Sequence, residues 1–288
     1  MNIVKNTCVL LILSAAISGC ATMPVFMDRS SVAEDIAGKA GFKKVYVKTA
    51  DFTLMTYQRL KGPSKTIRLY IEGDGRAWET RTRLSDDPTP SNPVALKLAA
   101  ADPSDNVIYV ARPGQFTPEG AGQCDPAYWS TRRFSAEVVE ALNGVIKNLK
   151  TETGASDIEL VGFSGGGALA VLVAAKRNDI ISIRTIAGNL DHRALCEYHH
   201  VSPLDGSLNP IDYAPDIKHI PQRHFVGSKD KVVPAFIARS FVEREGDKNY
   251  DRVTIVEDAT HTKGWRERWK KLLSLSPSTP FNGHIDKM

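Results

Sequence analysis

From residue 67 onward the chain repeats one pattern, a short and almost unbroken apolar run followed by a segment of helical length. The runs read IRLYIEG (67–73), NVIYVAR (106–112), DIELVGF (157–163), SIRTIAG (182–188), RHFVGS (223–228) and RVTIVED (252–258). Runs this short and this apolar suit strands buried on both faces, as in a parallel sheet. Helix candidates fall between or after them, near 93–101, 134–149, 165–176, 235–244 and 264–275. Parallel neighbours cannot be joined by hairpins, so the intervening helices must cross over the sheet, right-handed, and cover both of its faces. The expected fold class is α/β, a three-layer sandwich.

Ahead of this series, KKVYVKT (43–49) and FTLMTYQRL (52–60) alternate apolar with polar residues around the turn residues Ala50 and Asp51. Half-exposed strands alternate in this way, so the mostly parallel, eight-stranded sheet should carry an antiparallel edge. Before them, SSVAEDIAGKAGF (30–42) spaces Ser31 and Glu34 as a capping box and offers Gly41 as a stop, which predicts a short helix.

The chain has 288 residues, 42% hydrophobic and 24% charged, enough to bury one large core, and residues 30–288 are expected to form a single domain. A net charge of +4, with basic residues scattered among acids, gives no basic stripe and argues against a nucleic-acid partner. Three irregular segments interrupt the strand–helix series, at 76–92, 113–131 and 189–218, the last with prolines at 203, 210 and 215. All three would leave the C-terminal ends of parallel strands, the edge where open α/β sheets bind ligands. Loops of this length in a compact domain usually serve function or are disordered.

Gly162-Phe163-Ser164-Gly165-Gly166 fits G-x-S-x-G, with a buried strand before it and a small-residue helix start after it. That context marks a sharp turn holding a serine hydroxyl above the sheet edge, whereas the pentapeptide alone could be a flexible turn. A nucleophilic serine needs a base, and the base needs an orienting carboxylate. HFVGSKDKVVP (224–234) places Asp230 on a loop at the same edge, and VTIVEDATHTKGW (253–265) ends the next strand and delivers His261. Asp191, beyond the preceding strand, is a rival acid, and Asp258 is close enough to His261 to shape its turn. The adjacent His199 and His200 lack companion ligands at metal spacing, and His192, His219, His224 and His284 have no better claim.

With its elbow at Ser164, the Gly...Asp...Val-Pro pattern around Asp230 and its late histidine, the chain resembles the α/β-hydrolase superfamily over roughly residues 43 to 275. The resemblance implies Ser164 as nucleophile, His261 as the base that later protonates the leaving group, and Asp230 as its orienter. It calls for no metal or organic cofactor. It also implies an oxyanion hole built from the backbone amide of Gly165 and that of Asp74. Tyr70-Ile71-Glu72-Gly73-Asp74-Gly75-Arg76 is similar to the family's His-Gly-x-Gly, with Glu72 in the histidine position. An acid there is compatible with an oxyanion only if a cation neutralises it or its side chain points away. Phe116, Tyr128 and Trp129 are candidates to line an acyl pocket or to anchor loops, and Arg112, Arg132 and Arg133 to hold an anionic group or serve structurally. Trp265 and Trp269, four apart, should face inward from the last helix.

The N-terminus has Lys5 and then an uncharged run from Thr7 to Gly19, shorter than the roughly 20 residues of a membrane-spanning helix. It reads as a secretory signal, residues 1–19. Ile17-Ser18-Gly19-Cys20 resembles the lipobox of bacterial lipoproteins, which implies lipidation of Cys20, a tether over 20–29 and a membrane partner through the lipid. Ala21 is not the aspartate associated with inner-membrane retention, so the expected location is the outer membrane, facing the periplasm. In that oxidising compartment Cys124 and Cys196, the two cysteines left over, are expected to form a disulfide, with two separate buried thiols as the alternative.

Taken together, the sequence reads as an envelope-anchored serine hydrolase acting on an ester or related acyl bond of a small-molecule or lipid substrate. A non-catalytic lipid- or glycan-binding lipoprotein, or an acyltransferase with the same three residues, are the alternatives.

Overall fold

The computed structural model describes residues 28–118 and 124–280. The signal segment, Cys20 and nearly all of the tether lie outside the described residues. Eight strands form one sheet: β1 (Lys43–Lys48), β2 (Thr53–Leu60), β3 (Thr66–Ile71), β4 (Asn106–Val110), β5 (Asp157–Phe163), β6 (Ile180–Ile186), β7 (Gln222–Gly227) and β8 (Val253–Val256). Their spatial order is β1-β2-β4-β3-β5-β6-β7-β8. Only β2 is reversed, antiparallel to both β1 and β4, and every later pair is parallel. Strand order reverses around β3, which lies between β4 and β5, so the crevice beyond the C-terminal ends of β3 and β5 is where such a sheet takes a ligand.

Eight α-helices accompany the sheet in the described residues: α1 (Arg29–Lys39), α2 (Val94–Ala101), α3 (Ala136–Thr153), α4 (Gly165–Ala174), α5 (His192–His199), α6 (Ala214–Ile217), α7 (Ala235–Arg244) and α8 (Trp269–Leu273). The strands alternate between two cores, as the two-residue period requires. Ile67, Leu69, Ile71, Ile108, Val110, Ile158 and Leu160 meet α3, α4, α6 and α7 on one face. Tyr70, Val107, Tyr109, Val161 and Phe163 meet α1, α2 and α8 on the other. All ten residues of α4 are buried, which is why its sequence is apolar all round. Trp265 and Trp269 do turn inward, and the Trp269 indole N–H donates to the Tyr70 hydroxyl at 3.0 Å. Residues 266–268 form a 3-10 turn, so the final helix is shorter than its periodicity suggests.

Three expectations need correction. The first helix begins at Arg29, ahead of Ser31, and Glu34 bonds Lys44 Nζ at 2.8 Å instead of closing a capping box. Tertiary contact sets this start, because the Arg29 guanidinium reaches the carbonyls of Asp87 and Thr89 at 2.9 and 2.8 Å. The segment 189–218 is not irregular throughout, since it contains α5 and α6. Cys124 and Cys196 are both free thiols, so the expected disulfide is absent. Cys196 is buried in the core cluster beneath α5, while Cys124 sits in the loop before a 3-10 turn at Pro126–Trp129.

Candidate active site

The chain leaves β5 and enters α4 through Ser164, whose φ of 52° and ψ of −118° lie outside the regions an L-residue ordinarily adopts. Such strain persists only where the surroundings over-determine it. Here the Ser164 N–H donates to the Ile186 carbonyl at 2.9 Å, and its carbonyl accepts from Gly167 at 2.9 Å and Asn189 at 3.0 Å. The flanking glycines are steric requirements. A Cβ on Gly162 would lie 2.2 Å from the Gly166 carbonyl oxygen, and one on Gly166 would lie 2.2 Å from that of Ile71. Strand and helix can therefore touch only because these positions carry no side chain, which separates this turn from ordinary flexible turn chemistry.

The structure brings Ser164, His261 and Asp230 together, although 97 residues separate the first two. His261 Nε2 is 3.0 Å from Ser164 Oγ, and Nδ1 is 2.9 Å from Asp230 Oδ2. Asp230 Oδ1 accepts the backbone N–H of Val232 at 2.8 Å and of Val233 at 3.0 Å, which leaves Oδ2 for the imidazole. A carboxylate can only accept, so Nδ1 carries the hydrogen and the Nε2 lone pair faces the serine hydroxyl. Phe163 supports the ring at 5.2 Å between centroids, and the Trp265 indole N–H holds the His261 carbonyl at 3.0 Å. Asp191, the rival acid, is committed elsewhere. It caps α5, accepting from Arg193 and Ala194 N–H at 3.1 and 3.2 Å and from Asn209 Nδ2 at 2.8 Å. Asp258 shapes the turn before His261, with φ of 60° and its N–H on Ser228 Oγ at 2.9 Å.

Among the described residues, neither the Gly165 amide, at the start of α4, nor that of Asp74 meets an acceptor. A helix N-terminus with a free N–H is suited to an anion. The two acids of this loop are handled differently. Asp74 does not point away. Burial alone would raise its pKa, but the guanidiniums of Arg133 and Arg112 outweigh that and hold it below the usual carboxylate range. Arg112 Nη1 lies 3.0 Å from Oδ1 and Arg133 Nη1 3.2 Å from Oδ2. Oδ1 also abuts Gly165, where a Cβ would come within 1.9 Å of it. Two cations thus lock the side chain of the residue that abuts Gly165.

Glu72 turns inward and is 1% exposed. Its Oε1 accepts the N–H of Gly73 at 2.9 Å and of Ala95 at 3.3 Å, tying the loop to the first turn of α2, whose own N-cap is Pro93 and has no capping side chain. Burial pushes its pKa from 4.5 up to about 7 despite those bonds. The folded protein therefore holds this proton between those two values, and the group's contribution to stability is lost as pH rises through the upper one. A glutamine keeps the accepting oxygen and has no proton to lose. The difference in Tm, Glu72→Gln minus wild type, should therefore grow in favour of the variant from about pH 5 to about pH 8, read by calorimetry. A difference independent of pH would contradict this assignment.

The loop aromatics are anchors. Phe116 and Trp129 are buried, with the Phe116 N–H on Thr89 Oγ1 at 2.8 Å and the Trp129 indole N–H on the Ser85 carbonyl at 3.0 Å. Tyr128 packs edge-on against Phe52 at 4.8 Å, with Arg132 over its ring at 4.8 Å and paired to Glu137. No cluster of His, Cys, Asp and Glu able to hold a metal occurs among the described residues. Sequence reading missed the Arg112–Asp74–Arg133 lock, the bond of Gln115 Nε2 to the Gly73 carbonyl at 2.9 Å and the Asn189 amide that fixes the elbow. No local signal marks them, because each partner is distant in sequence.

No protein-family model matches the chain, and no curated protein matches it in sequence. Solved structures do. An alpha-beta serine hydrolase homologue from Coxiella burnetii aligns with a TM-score of 0.53 at 18% identity over 80% of this chain and 93% of that one. A putative lipase from Acinetobacter baumannii gives 0.56 at 14% identity over 88% and 95%. An esterase from Pyrococcus furiosus gives 0.56 at 18% identity over 82% and 92%. At such identity the likeness speaks for architecture alone, and together with the mostly parallel eight-stranded sheet described above it shows that this chain has the α/β-hydrolase fold.

Proposed function

We propose that the protein is a serine hydrolase cleaving an ester or related acyl bond through an acyl-enzyme intermediate. The observation that carries this reading is the hydrogen-bonded chain from Ser164 Oγ through His261 to the buried Asp230, set beside two free amides. In the proposed cycle, Ser164 Oγ attacks the scissile carbonyl while His261 Nε2 takes its proton. The Gly165 and Asp74 amides stabilise the tetrahedral oxyanion, and His261 then protonates the departing alcohol. Water repeats the sequence on the acyl-enzyme and frees Ser164. Asp230 keeps the imidazole in the tautomer this requires. The names of the structural neighbours, a serine hydrolase homologue, a lipase and an esterase, favour the same chemistry.

The reading extends to location. The lipobox-like Ile17-Ser18-Gly19-Cys20 supports a lipid on Cys20 that tethers the enzyme to the outer membrane, facing the periplasm. A fluorophosphonate probe tests the chemistry directly. Purified protein should be labelled rapidly, at one site, with the adduct on Ser164 by peptide mass spectrometry. Absence of labelling in folded protein would leave a non-catalytic binding protein on the same fold as the better account.

A further inference from the structure

The wall of the site beside Asp74 carries hydrogen-bonding groups that the protein itself leaves unused. The Arg133 guanidinium has five N–H donors. Among the described residues its side chain makes one polar contact, 3.2 Å to Asp74 Oδ2, and its Nε is buried without a partner. His192 is buried, 4% exposed. The guanidiniums of Arg112 and Arg133 lie over the Phe134 ring at 5.4 and 5.6 Å, and His192 packs against the same ring at 6.0 Å. An unpaired buried N–H is costly, and one on a guanidinium beside a reaction centre needs an explanation.

Charge points the same way. Among the described residues, Asp74 is the one ion-pair partner of both guanidiniums, so two cations share one carboxylate. That carboxylate abuts Gly165, so Arg133 is only a carboxylate's width from the elbow. The Arg133 side chain keeps 17% of its surface exposed, so a ligand can reach it. Glu72 is near enough to support Arg112 electrostatically but forms no ion pair with either guanidinium among the described residues.

We infer that the substrate carries an anionic group, a carboxylate or a phosphate, a few bonds from the scissile carbonyl, and that Arg133 binds it. This rests on the hydrolase reading. A planar guanidinium with free N–H groups matches the paired oxygens of either anion, and an anion there offsets the positive charge of the two guanidiniums.

The test compares the mono-p-nitrophenyl ester of glutaric acid with p-nitrophenyl valerate, equal in chain length and different in charge. Wild type should favour the charged ester by about tenfold or more in kcat/KM, and Arg133→Met should bring that ratio down to about one. Arg133→Lys, which keeps the charge without the fork, should give an intermediate ratio and serves if the methionine variant fails to fold. Inhibition of valerate hydrolysis by glutarate, set against inorganic phosphate, tells a carboxylate site from a phosphate site. Binding of the uncleaved glutarate ester to Ser164→Ala, lost on adding Arg133→Met, reads the same contact without turnover. Equal rates on the two esters, or a preference that survives Arg133→Met, would overturn the inference and leave the hydrolase reading standing. If neither ester is turned over and Ser164 takes no probe, the hydrolase reading fails on its own, and the binding measurement still decides the anion site.

Discussion

Ser164→Ala is expected to lower ester turnover by about 10⁴- to 10⁶-fold, the loss seen when the nucleophile of such a unit is removed. Among the described residues it supplies the only hydroxyl hydrogen-bonded to His261, at 3.0 Å from Nε2. What survives is the contribution of substrate binding and of the Gly165 and Asp74 amides. The substitution should be nearly neutral for folding. Alanine keeps the Cβ, so the backbone strain at φ 52° neither rises nor falls, and the three backbone hydrogen bonds of residue 164 do not involve the side chain. Stopped-flow or endpoint assays with p-nitrophenyl esters measure the rate, and thermal unfolding measures the fold. Turnover within tenfold of wild type, or fluorophosphonate labelling that persists in the variant, would remove Ser164 from its assigned role.

The parts of this site that were legible in the sequence are those whose signal is local. Ser164 follows β5 directly, Asp230 comes three residues after β7 and His261 five after β8, and each apolar run fixes where a parallel strand ends and on which sheet edge the following loop falls. The elbow was legible for the same reason, since a strand, a Gly-Ser-Gly cluster and a small-residue helix are contiguous. The acid was not resolved by pattern. Asp191 and Asp230 both leave strand ends, and the choice depends on a helix the prolines concealed, because Asp191 is spent capping α5. The orientation of Glu72 was likewise invisible: it depends on the amide of Ala95, which only tertiary packing brings near. The disulfide failed because composition and compartment say nothing about direction, and α5 turns Cys196 into the core.

That unresolved choice yields the second large effect. Asp230→Asn should lower kcat by about 10³- to 10⁴-fold, whereas Asp191→Asn should leave it within a few-fold of wild type. Asparagine at 230 can still accept the Val232 and Val233 amides through its oxygen, so the loop is held. Its NH₂ then faces His261 Nδ1, where only an acceptor had stood, and a donor there forces Nδ1 to give up its hydrogen. The proton moves to Nε2, the lone pair that would receive the Ser164 proton is lost, and the developing imidazolium loses its counter-charge. At 191 the demand is different. The side-chain oxygen accepts from two helix amides and from Asn209, and asparagine caps a helix about as well as aspartate does. The two variants therefore differ in what the carboxylate is needed for: tautomer and charge at 230, one acceptor oxygen at 191. Paired measurements of kcat against pH on one ester separate them. A large loss at 191 with little at 230 would mean that the acid serving His261 in solution is the one this structure assigns to the helix cap.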